Sequence, residues 1–577
     1  MTADPEFWPR PAREQKSADL RIDNARIVNV FSGEIMEAPL CAAKGRILGF
    51  SRLEAKQVVD AGGGFLLPGL IDAHTHIESS LLCPARFAEA VLPRGVTTVL
   101  ADPHEIANVA GLAGLRYMLE ATDGLPLNVL FMLSSCVPAL PLEDSGAVLK
   151  AEDLAFLMSH PRIAGLGEMM NTAGVLSGDA EVLAKIRLAL DCGKRVDGHS
   201  PGLTGSALDA YIAAGISTDH ECVSAEEFQE RVRRGMYILL REGSASRDLL
   251  RLLPGVTQAN ARRCLFCTDD RHPADILDIG HIDNHLRLAV AAGLDPVTAV
   301  RMATLNAAEC YGLERIGGLA PGWRADMVLV NDLREFRASS VWAGGQLVAE
   351  RGRMLEDLPH RAADDMRGTV RLAPLPDRPF ALRLPSGKAR VIRPFPHSLI
   401  TGHEILPVRV DGQGFFDFAL NPGLLKIAVL ERHHASGKMS VGLLDKIYGL
   451  RGGAIATSVA HDSHNLVVAG DNDADMQQAA EAVARLGGGV VMTAGGKILA
   501  ELPLPVAGLM SELPAAQVAE KLRGLLRLAR EHYHIWDQAD AFMTLSFLAL
   551  PVIPHLKITA RGLFDVDAGR FVEVAVP

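Results

Sequence analysis

The segment LLPGLIDAHTHIESS, residues 66–80, ends an apolar run with two histidines that are separated by one residue. In a strand, His74 and His76 would point to the same face, because successive side chains alternate between faces. Both imidazoles could then reach one metal ion. A histidine at a strand end is more commonly an ordinary polar residue, so the pair alone leaves both interpretations open.

Further polar residues end other apolar runs along the chain. Glu168 stands in GLGEMM, His199 in DGHS, His220 in STDHE and Asp269 in CTDD. Imidazole and carboxylate groups suit zinc, manganese and iron(II) about equally. If one edge of a fold collected all these side chains, four imidazoles and two carboxylates would suit two divalent ions with a bridging carboxylate.

The elements that would position these residues are strands and helices in alternation. Between residue 67 and about residue 315, the strand candidates are GLIDAHTH, GVTTVLADPHE, LNVLFMLSSC, IAGLGEMM, KRVDGHS, GISTDHE, MYILLREGS and CLFCTDD. Helical patterns such as CPARFAEAVLPR and DAEVLAKIRLALDCG lie between most of them. This alternation predicts an α/β fold, a (β/α)8 TIM-like barrel with its site at the C-terminal strand ends. A doubly wound open sheet would not explain polar residues at so many strand ends.

The chain outside the barrel changes in pattern several times. The predicted segments are 1–66 (first part of a small β domain), 67–318 (barrel), 319–364 (returning part of the β domain), 365–396 (linker) and 397–577 (C-terminal α/β domain). The small domain, predicted as a β-sandwich, would thus be built from both flanks of the barrel. The linker is rich in Pro and Arg.

Composition excludes several classes of protein. The 58 Lys and Arg against 69 Asp and Glu give a net charge of −11, which argues against a nucleic-acid surface. The N-terminus has no apolar signal region, and no apolar run is long enough to cross a membrane. The eight cysteines, including one isolated C-x-x-C at Cys264 and Cys267, indicate reduced thiols. We therefore expect a cytoplasmic globular protein.

The motifs resemble the bacterial type of adenine deaminase, a family of the amidohydrolase superfamily. The matching text is PGLIDAHTHIESS, GVTTVLADPHEIANV, GLGEMMN, DGHSPGL, GISTDHE, FCTDDRHP, GHIDNHLRLAV, LAPGWRADMVLV and AIATSVAHDSHNLVVAG. The resemblance runs from about residue 20 to the C-terminus. Many superfamily members carry a carboxylated lysine on the fourth strand, where this chain has Glu168.

The resemblance implies hydrolysis of a C–N bond of a cyclic amidine: adenine would become hypoxanthine and ammonia, as in purine salvage. It implies two divalent ions, Mn²⁺ or Fe²⁺. The ligands that it implies are His74, His76 and Asp269 for the deeper ion, His199 and His220 for the outer ion, and Glu168 as the bridge.

Deamination at C6 needs proton transfers as well as an activated water. Asp269 is the candidate that takes the proton of the water and passes it to the leaving amine. A buried carboxylic acid would protonate the purine ring. Glu105 is favoured for this role, oriented by His104 or Asp102, which could alternatively bind an extra ion. Glu78 competes with Glu105.

Candidate substrate-binding residues follow the last barrel strand and recur in the C-terminal region. Asp270 and His272 could shape a purine pocket, although a salt-bridged loop is an equal alternative. His461 and His464, in HDSHN, could be another metal pair or part of a loop over the barrel mouth.

The motifs leave other activities open. The enzyme could prefer an N6-substituted adenine, or be another binuclear amidohydrolase acting on a cyclic amide such as a hydantoin. A non-catalytic purine-binding scaffold fits an intact ligand set least well. We also expect a homo-oligomer, most simply a dimer.

Overall fold

The computed structural model describes residues 17–396, 398–536 and 540–576. The start of the predicted small β domain, residues 1–16, and both end residues of the predicted C-terminal domain, residues 397 and 577, lie outside the described residues.

Short strands come first in the described chain. They are β1 (Ser17–Asp23), β2 (Arg26–Asn29), β3 (Glu34–Glu37), β4 (Leu40–Ala43), β5 (Arg46–Gly49), β6 (Glu54–Asp60) and β7 (Phe65–Pro68). One sheet has the order β5-β4-β1-β6. Side chains of β1 alternate between buried and more exposed positions, which is typical of a strand with one face on a core.

Parallel strands follow at the predicted positions. They are β8 (Leu70–Thr75), β9 (Val96–Ala101), β10 (Asn128–Leu133), β11 (Ile163–Met169), β12 (Arg195–Gly198), β13 (Thr218–Asp219), β14 (Tyr237–Arg241) and β15 (Cys264–Cys267). β8 to β12 form one sheet in chain order, and β13 to β15 form another. Thr75 forms a parallel bridge with Asp269, just after β15. The Ser217 N–H, just before β13, donates to the Val196 carbonyl of β12 over 3.1 Å. These contacts join the two sheets at both edges, and the curled arrangement fits a TIM-like barrel.

Helices connect these strands. They are α1 (Pro84–Val91), α2 (His104–Ala121), α3 (Ala151–Met158), α4 (Thr172–Ser177), α5 (Ala180–Asp191), α6 (Gly205–Ala213), α7 (Ala225–Arg233), α8 (Leu249–Leu252), α9 (Pro273–Asp278), α10 (Ile282–Ala291), α11 (Pro296–Met302) and α12 (Leu305–Cys310). α1 and α5 are the two helices predicted above. Asp179 begins α5 by accepting two backbone N–H groups, and Ser224 begins α7 in a similar way.

Later strands return to the first ones. They are β16 (Met327–Val330), β17 (Ala338–Ala343), β18 (Gln346–Glu350) and β19 (Arg353–Met354). They share a sheet with earlier strands, in the order β19-β18-β17-β16-β7-β2-β3. Val328 lies opposite Leu67 in this sheet, and Trp342 is buried between Ile27 and other apolar side chains of both flanks. One sheet therefore contains strands from before and after the parallel strands.

The C-terminal region contains a large mixed sheet. Its strands are β20 (Lys388–Arg393), β21 (Gly402–Pro407), β22 (Leu424–Leu430), β23 (Met439–Asp445), β24 (Ala454–Thr457), β25 (Leu466–Gly470), β26 (Gly489–Ala494) and β27 (Lys497–Pro503), in the order β21-β20-β23-β22-β25-β24-β26-β27. Its remaining elements are α13 (Asp473–Leu486), α14 (Ala515–Glu531), α15 (Ala541–Phe547), β28 (Leu556–Thr559), β29 (Gly562–Asp565) and β30 (Arg570–Val572). β20 lies inside the segment predicted as a linker, because its buried Ala389 and Val391 alternate with the polar residues that dominate that composition.

The C-terminal region packs directly on the parallel strands' connections. Ser511 exchanges backbone hydrogen bonds with Leu81 and Cys83, over 2.8 and 3.0 Å, just after β8. Arg523 and Asp278 form an ion pair at 2.7 Å. Within the described residues, no helix combines the length and apolar character needed to cross a bilayer.

Gly69 joins β7 to β8 in a space that admits no side chain. A Cβ there would lie 2.0 Å from Thr97 Oγ1 and 2.9 Å from Asp326 Cβ. Gly69→Ala should lower the free energy of unfolding by about 1–3 kcal/mol through overpacking, measured by urea denaturation. The matched control is Gly412→Ala, where no atom lies within 4 Å. Equal stability of the two variants would contradict the close packing at the start of β8.

Candidate metal centre

The six predicted ligands meet in one buried cluster at the C-terminal ends of the parallel strands. We call this set the central cluster: His74, His76, Glu168, His199, His220 and Asp269. The Nε2 atoms of His74 and His76 are 3.2 Å apart, as expected for residues two positions apart where β8 ends. Asp269 Oδ1 lies 3.0 Å from His76 Nε2 and 3.7 Å from His74 Nε2.

Glu168 lies between imidazoles that come from different strands. Its Oε1 is 3.2 Å from His76 Nε2 and 3.8 Å from His74 Nε2. Its Oε2 is 2.7 Å from His199 Nδ1 and 3.3 Å from His220 Nε2. Each oxygen therefore faces one half of the cluster, as a bridging carboxylate requires.

Asp102, at the end of the second parallel strand, orients this arrangement. Its backbone carbonyl lies 2.9 Å from His76 Nδ1, and its Oδ2 accepts the backbone N–H of Glu168 over 2.9 Å. A carbonyl oxygen only accepts, so Nδ1 of His76 carries a hydrogen, and Nε2 is the ring nitrogen that faces the carboxylates of the cluster. The Asp102 carbonyl thus orients the His76 ring with Nε2 towards the position that a metal ion would occupy.

The cluster fits divalent metal ions. His74, His76 and Asp269 hold ligand atoms within 4.8 Å of one another, and so do His74, Glu168 and His220. Buried His74 Nδ1 and His199 Nε2 have no hydrogen-bond partner. Buried imidazoles packed against one another and against carboxylates are the N/O donor set of Zn, Mn or Fe(II).

The charges within the cluster stabilise its carboxylates. Burial opposes ionisation of Glu168, but the His199 imidazole and its neighbours lower the pKa of that carboxyl well below its ordinary value. Burial also opposes ionisation of Asp269, whose pKa is nonetheless held well below its ordinary value by the His76 hydrogen bond and the Arg241 charge. Both carboxylates are therefore ionised, as metal ligands must be.

Two residues of this site were missed in the sequence. Glu221 Oε1 lies 3.4 Å from His220 Nε2, and Arg241 Nη1 donates to Asp269 Oδ2 over 2.8 Å. Glu221 directly follows a predicted ligand, and Arg241 is the last residue of the seventh parallel strand, β14. The strand-end criterion that identified the ligands would have identified both.

His104 lies beside the central cluster and connects it to the C-terminal region. Its Nδ1 is 3.6 Å from Glu168 Oε1 and 3.5 Å from Asp102 Oδ1, while its Nε2 is 3.7 Å from Asp462 Oδ1. His76, His104 and Glu168 also form a group with ligand-capable spacing. The geometry is compatible with both roles predicted for His104, orientation and ion binding.

The two candidate acids, Glu78 and Glu105, form a buried carboxyl pair. The Ile106 N–H donates to Glu78 Oε1 over 3.2 Å, and the Ser79 hydroxyl lies 2.6 Å from Glu105 Oε1. Glu78 thus contacts the residue after Glu105, and Glu105 contacts the residue after Glu78. Burial, followed by the charge of Glu105, raises the pKa of Glu78 to about 8. The second oxygen of each carboxyl is buried without a partner.

The predicted substrate-binding residues lie around the carboxyl pair. Asp270 and His461 lie at the carboxyl pair: Asp270 Oδ1 is 2.5 Å from the Ser79 hydroxyl, and His461 Nδ1 is 3.4 Å from Glu105 Oε1. Glu105, His461 and His464 have ligand-capable spacing. His272 pairs with Asp540 at 2.9 Å and lines the same cavity as Ser79 and His461.

Glu168→Gln tests the cluster as a metal centre. The amide keeps the size of the side chain but removes the charge that both halves share, so metal content per chain should fall by at least half. Elemental analysis of protein loaded with Mn²⁺ measures it. Glu314→Gln, at an exposed carboxyl, should leave the content unchanged. Full metal content in Glu168→Gln would contradict a bridging carboxylate.

Comparison with known proteins places this site in a family. Residues 65–348 match the amidohydrolase family, and residues 398–570 match the adenine deaminase C-terminal domain. The chain is 60% identical over 558 residues to the adenine deaminase of Nitratidesulfovibrio vulgaris (strain DP4), covering 97% of this chain and 96% of that protein. It is 48% identical over 566 residues to adenine deaminase 2 of Carboxydothermus hydrogenoformans, covering 97% and 98%.

These matches extend over both the parallel-strand region and the C-terminal region. They confirm the resemblance that the sequence motifs carry. The chain belongs to the adenine deaminase family.

Proposed function

We propose that the protein hydrolyses adenine to hypoxanthine and ammonia. The observation that carries the proposal is the complete central cluster in a chain 60% identical to an adenine deaminase over 97% of its length. Water adds at C6 of the purine, and the exocyclic amine leaves as ammonia. Glu168, in place of a carboxylated lysine, counts against hydrolysis of a cyclic amide.

Two divalent ions, Mn²⁺ or Fe²⁺, are the proposed cofactors. The residues that would hold them are His74, His76 and Asp269 for the deeper ion, His199 and His220 for the outer ion, and Glu168 for both. When bound, divalent ions lower the pKa of water towards neutrality, which supplies the nucleophile.

The proposed architecture is a closed (β/α)8 barrel over residues 67–318, flanked by the two parts of the small β domain. The contacts at both edges of the two parallel sheets support closure. The proposed C-terminal domain begins before Lys388 rather than at residue 397, because β20 belongs to its sheet. A dimer and a cytoplasmic location stay predictions of the sequence.

Asp269 is the proposed proton carrier between the attacking water and the leaving amine. Its Oδ1 faces the imidazoles of β8, and its Oδ2 is held by Arg241. The carboxylate therefore has a fixed orientation beside the position where water would be activated, as general acid–base catalysis requires.

The proposed proton donor to the purine ring is the carboxyl pair of Glu78 and Glu105, acting together. Burial and the neighbouring charge of Glu105 raise the pKa of Glu78 to about 8, so the proton would reside on Glu78. This assignment includes both acids that the sequence suggested. Their unpartnered oxygens supply an acidic proton and an acceptor.

The purine is proposed to bind beside this pair. A cavity there is lined by Ser79, His272 and His461 together with apolar side chains such as Val459 and Phe542. Apolar walls with a few polar groups are typical of sites that bind small molecules. The proposed substrate contacts are Asp270, His272, His461 and His464.

Protein loaded with Mn²⁺ or Fe²⁺ should release ammonia from adenine, with the ultraviolet spectrum shifting to that of hypoxanthine. N6-methyladenine and a hydantoin serve as the competing substrates. Turnover of either one without turnover of adenine, with both metals tried, would overturn the proposal. Turnover of none would favour a purine-binding scaffold.

Glu78→Gln and Glu105→Gln test the carboxyl pair. Each should lower kcat by about 10²-fold or more, because each removes half of the unit that protonates the ring. Metal content should stay at the wild-type level, since neither residue belongs to the central cluster. A loss in one variant alone would identify a single acid and contradict the pair.

A further inference from the structure

Arg241 is a buried, positively charged side chain beside the central cluster, whose residues would bind positively charged metal ions. It is 3% exposed and ends β14, the seventh parallel strand. Its Nη1 donates to Asp269 Oδ2 over 2.8 Å and contacts Glu221 Oε1. Its Nη2 lies 3.3 Å from Glu221 Oε2 and 3.2 Å from Asp248 Oδ2. The guanidinium therefore contacts carboxylates from three different segments.

This position carries an electrostatic cost. A guanidinium hydrogen-bonded to a residue that would hold a metal ion would repel that ion across a dry interior. Glu221 and Asp248 offset its charge, which explains how the cation is tolerated. Their presence does not explain why a cation stands there.

Glu221 supplies the explanation, since it is itself a capable metal ligand. Its Oε1 lies 3.4 Å from His220 Nε2 and 3.7 Å from His199 Nδ1. These three residues have ligand-capable spacing. Left free, the carboxylate would fill a coordination position of the ion that the two histidines hold.

We propose that Arg241 is a positioning residue that keeps Glu221 out of the ligand set of the outer ion. It binds both oxygens of Glu221, and it also leaves Asp269 a single free oxygen for the deeper ion. Catalytic metal sites keep an open position for water or substrate, whereas sites filled with protein ligands are structural. The proposal rests on the metal-dependent function proposed above.

The shape of the arginine side chain suits this role. The planar guanidinium can contact both oxygens of one carboxylate while it donates to a second. A lysine ammonium offers a single point of charge and cannot hold this geometry. The contact of Asp248 with Nη2 holds the guanidinium of Arg241 in this orientation.

The test is retention of Mn²⁺ by the loaded protein against excess chelator, without substrate. Arg241→Met should slow the loss of the outer ion by about tenfold or more, because released Glu221 becomes a ligand. An ordinary structural role would predict the opposite, faster loss. The double variant Arg241→Met/Glu221→Gln should return to the wild-type rate or exceed it, since Glu221 can no longer supply a carboxylate to the outer ion.

Glu221→Gln alone provides the second test and does not require Arg241 to be removed. Its metal retention should equal that of the wild type and of the matched control Glu242→Gln, a buried carboxyl next to Arg241, because Asp248 and Asp269 still pair the guanidinium. Faster loss in Glu221→Gln than in the control would make Glu221 a ligand and overturn the proposal. Unchanged or faster loss in folded Arg241→Met would also overturn it. If Arg241→Met does not fold, Glu221→Gln decides.

These results are independent of the substrate assignment. Metal retention is measured without a purine, so a protein that fails to deaminate adenine would contradict the proposed function alone. A protein that deaminates adenine but loses metal faster as Arg241→Met would contradict this inference alone.

Discussion

The position of one carboxylate, Glu168, constrains most of the molecule. It is 4% exposed, and a buried charge at that depth is tolerated only when it is paired. Its partners are imidazoles from the first, fifth and sixth parallel strands, so those strands must end at the same level around it. The need to pair the Glu168 charge therefore accounts both for the curl of the two parallel sheets and for the composition of the central cluster.

The sequence predicts those parts of the structure that depend on the local pattern of apolar and polar residues. Fully buried parallel strands appear as continuous apolar runs, and a polar residue at each end marks the common edge. All six members of the central cluster follow from this rule. β20 was missed because its apolar residues are interspersed with Lys388, Arg390 and Arg393, and composition alone suggested a linker.

Contacts between distant segments were beyond such reasoning. The roles of Arg241 and Glu221 depend on their contacts with each other and with Asp269. The spacing of these residues in the chain does not predict that the three meet. The same holds for Asp462, which approaches His104 from a segment more than three hundred residues away. Partners of this kind are set by how sheets and domains pack, which periodicity does not encode.

The C-terminal region does more than cover the site. Asp462 and His461 bring a carboxylate and an imidazole to His104 and Glu105, which are themselves buried and incompletely hydrogen-bonded. Water would satisfy such groups if the region were absent, and water would also weaken every charge interaction in the cluster. The C-terminal region therefore covers the polar ends of the parallel strands with polar groups of its own. These groups replace water as partners, so the site can exclude water and still contain many polar residues.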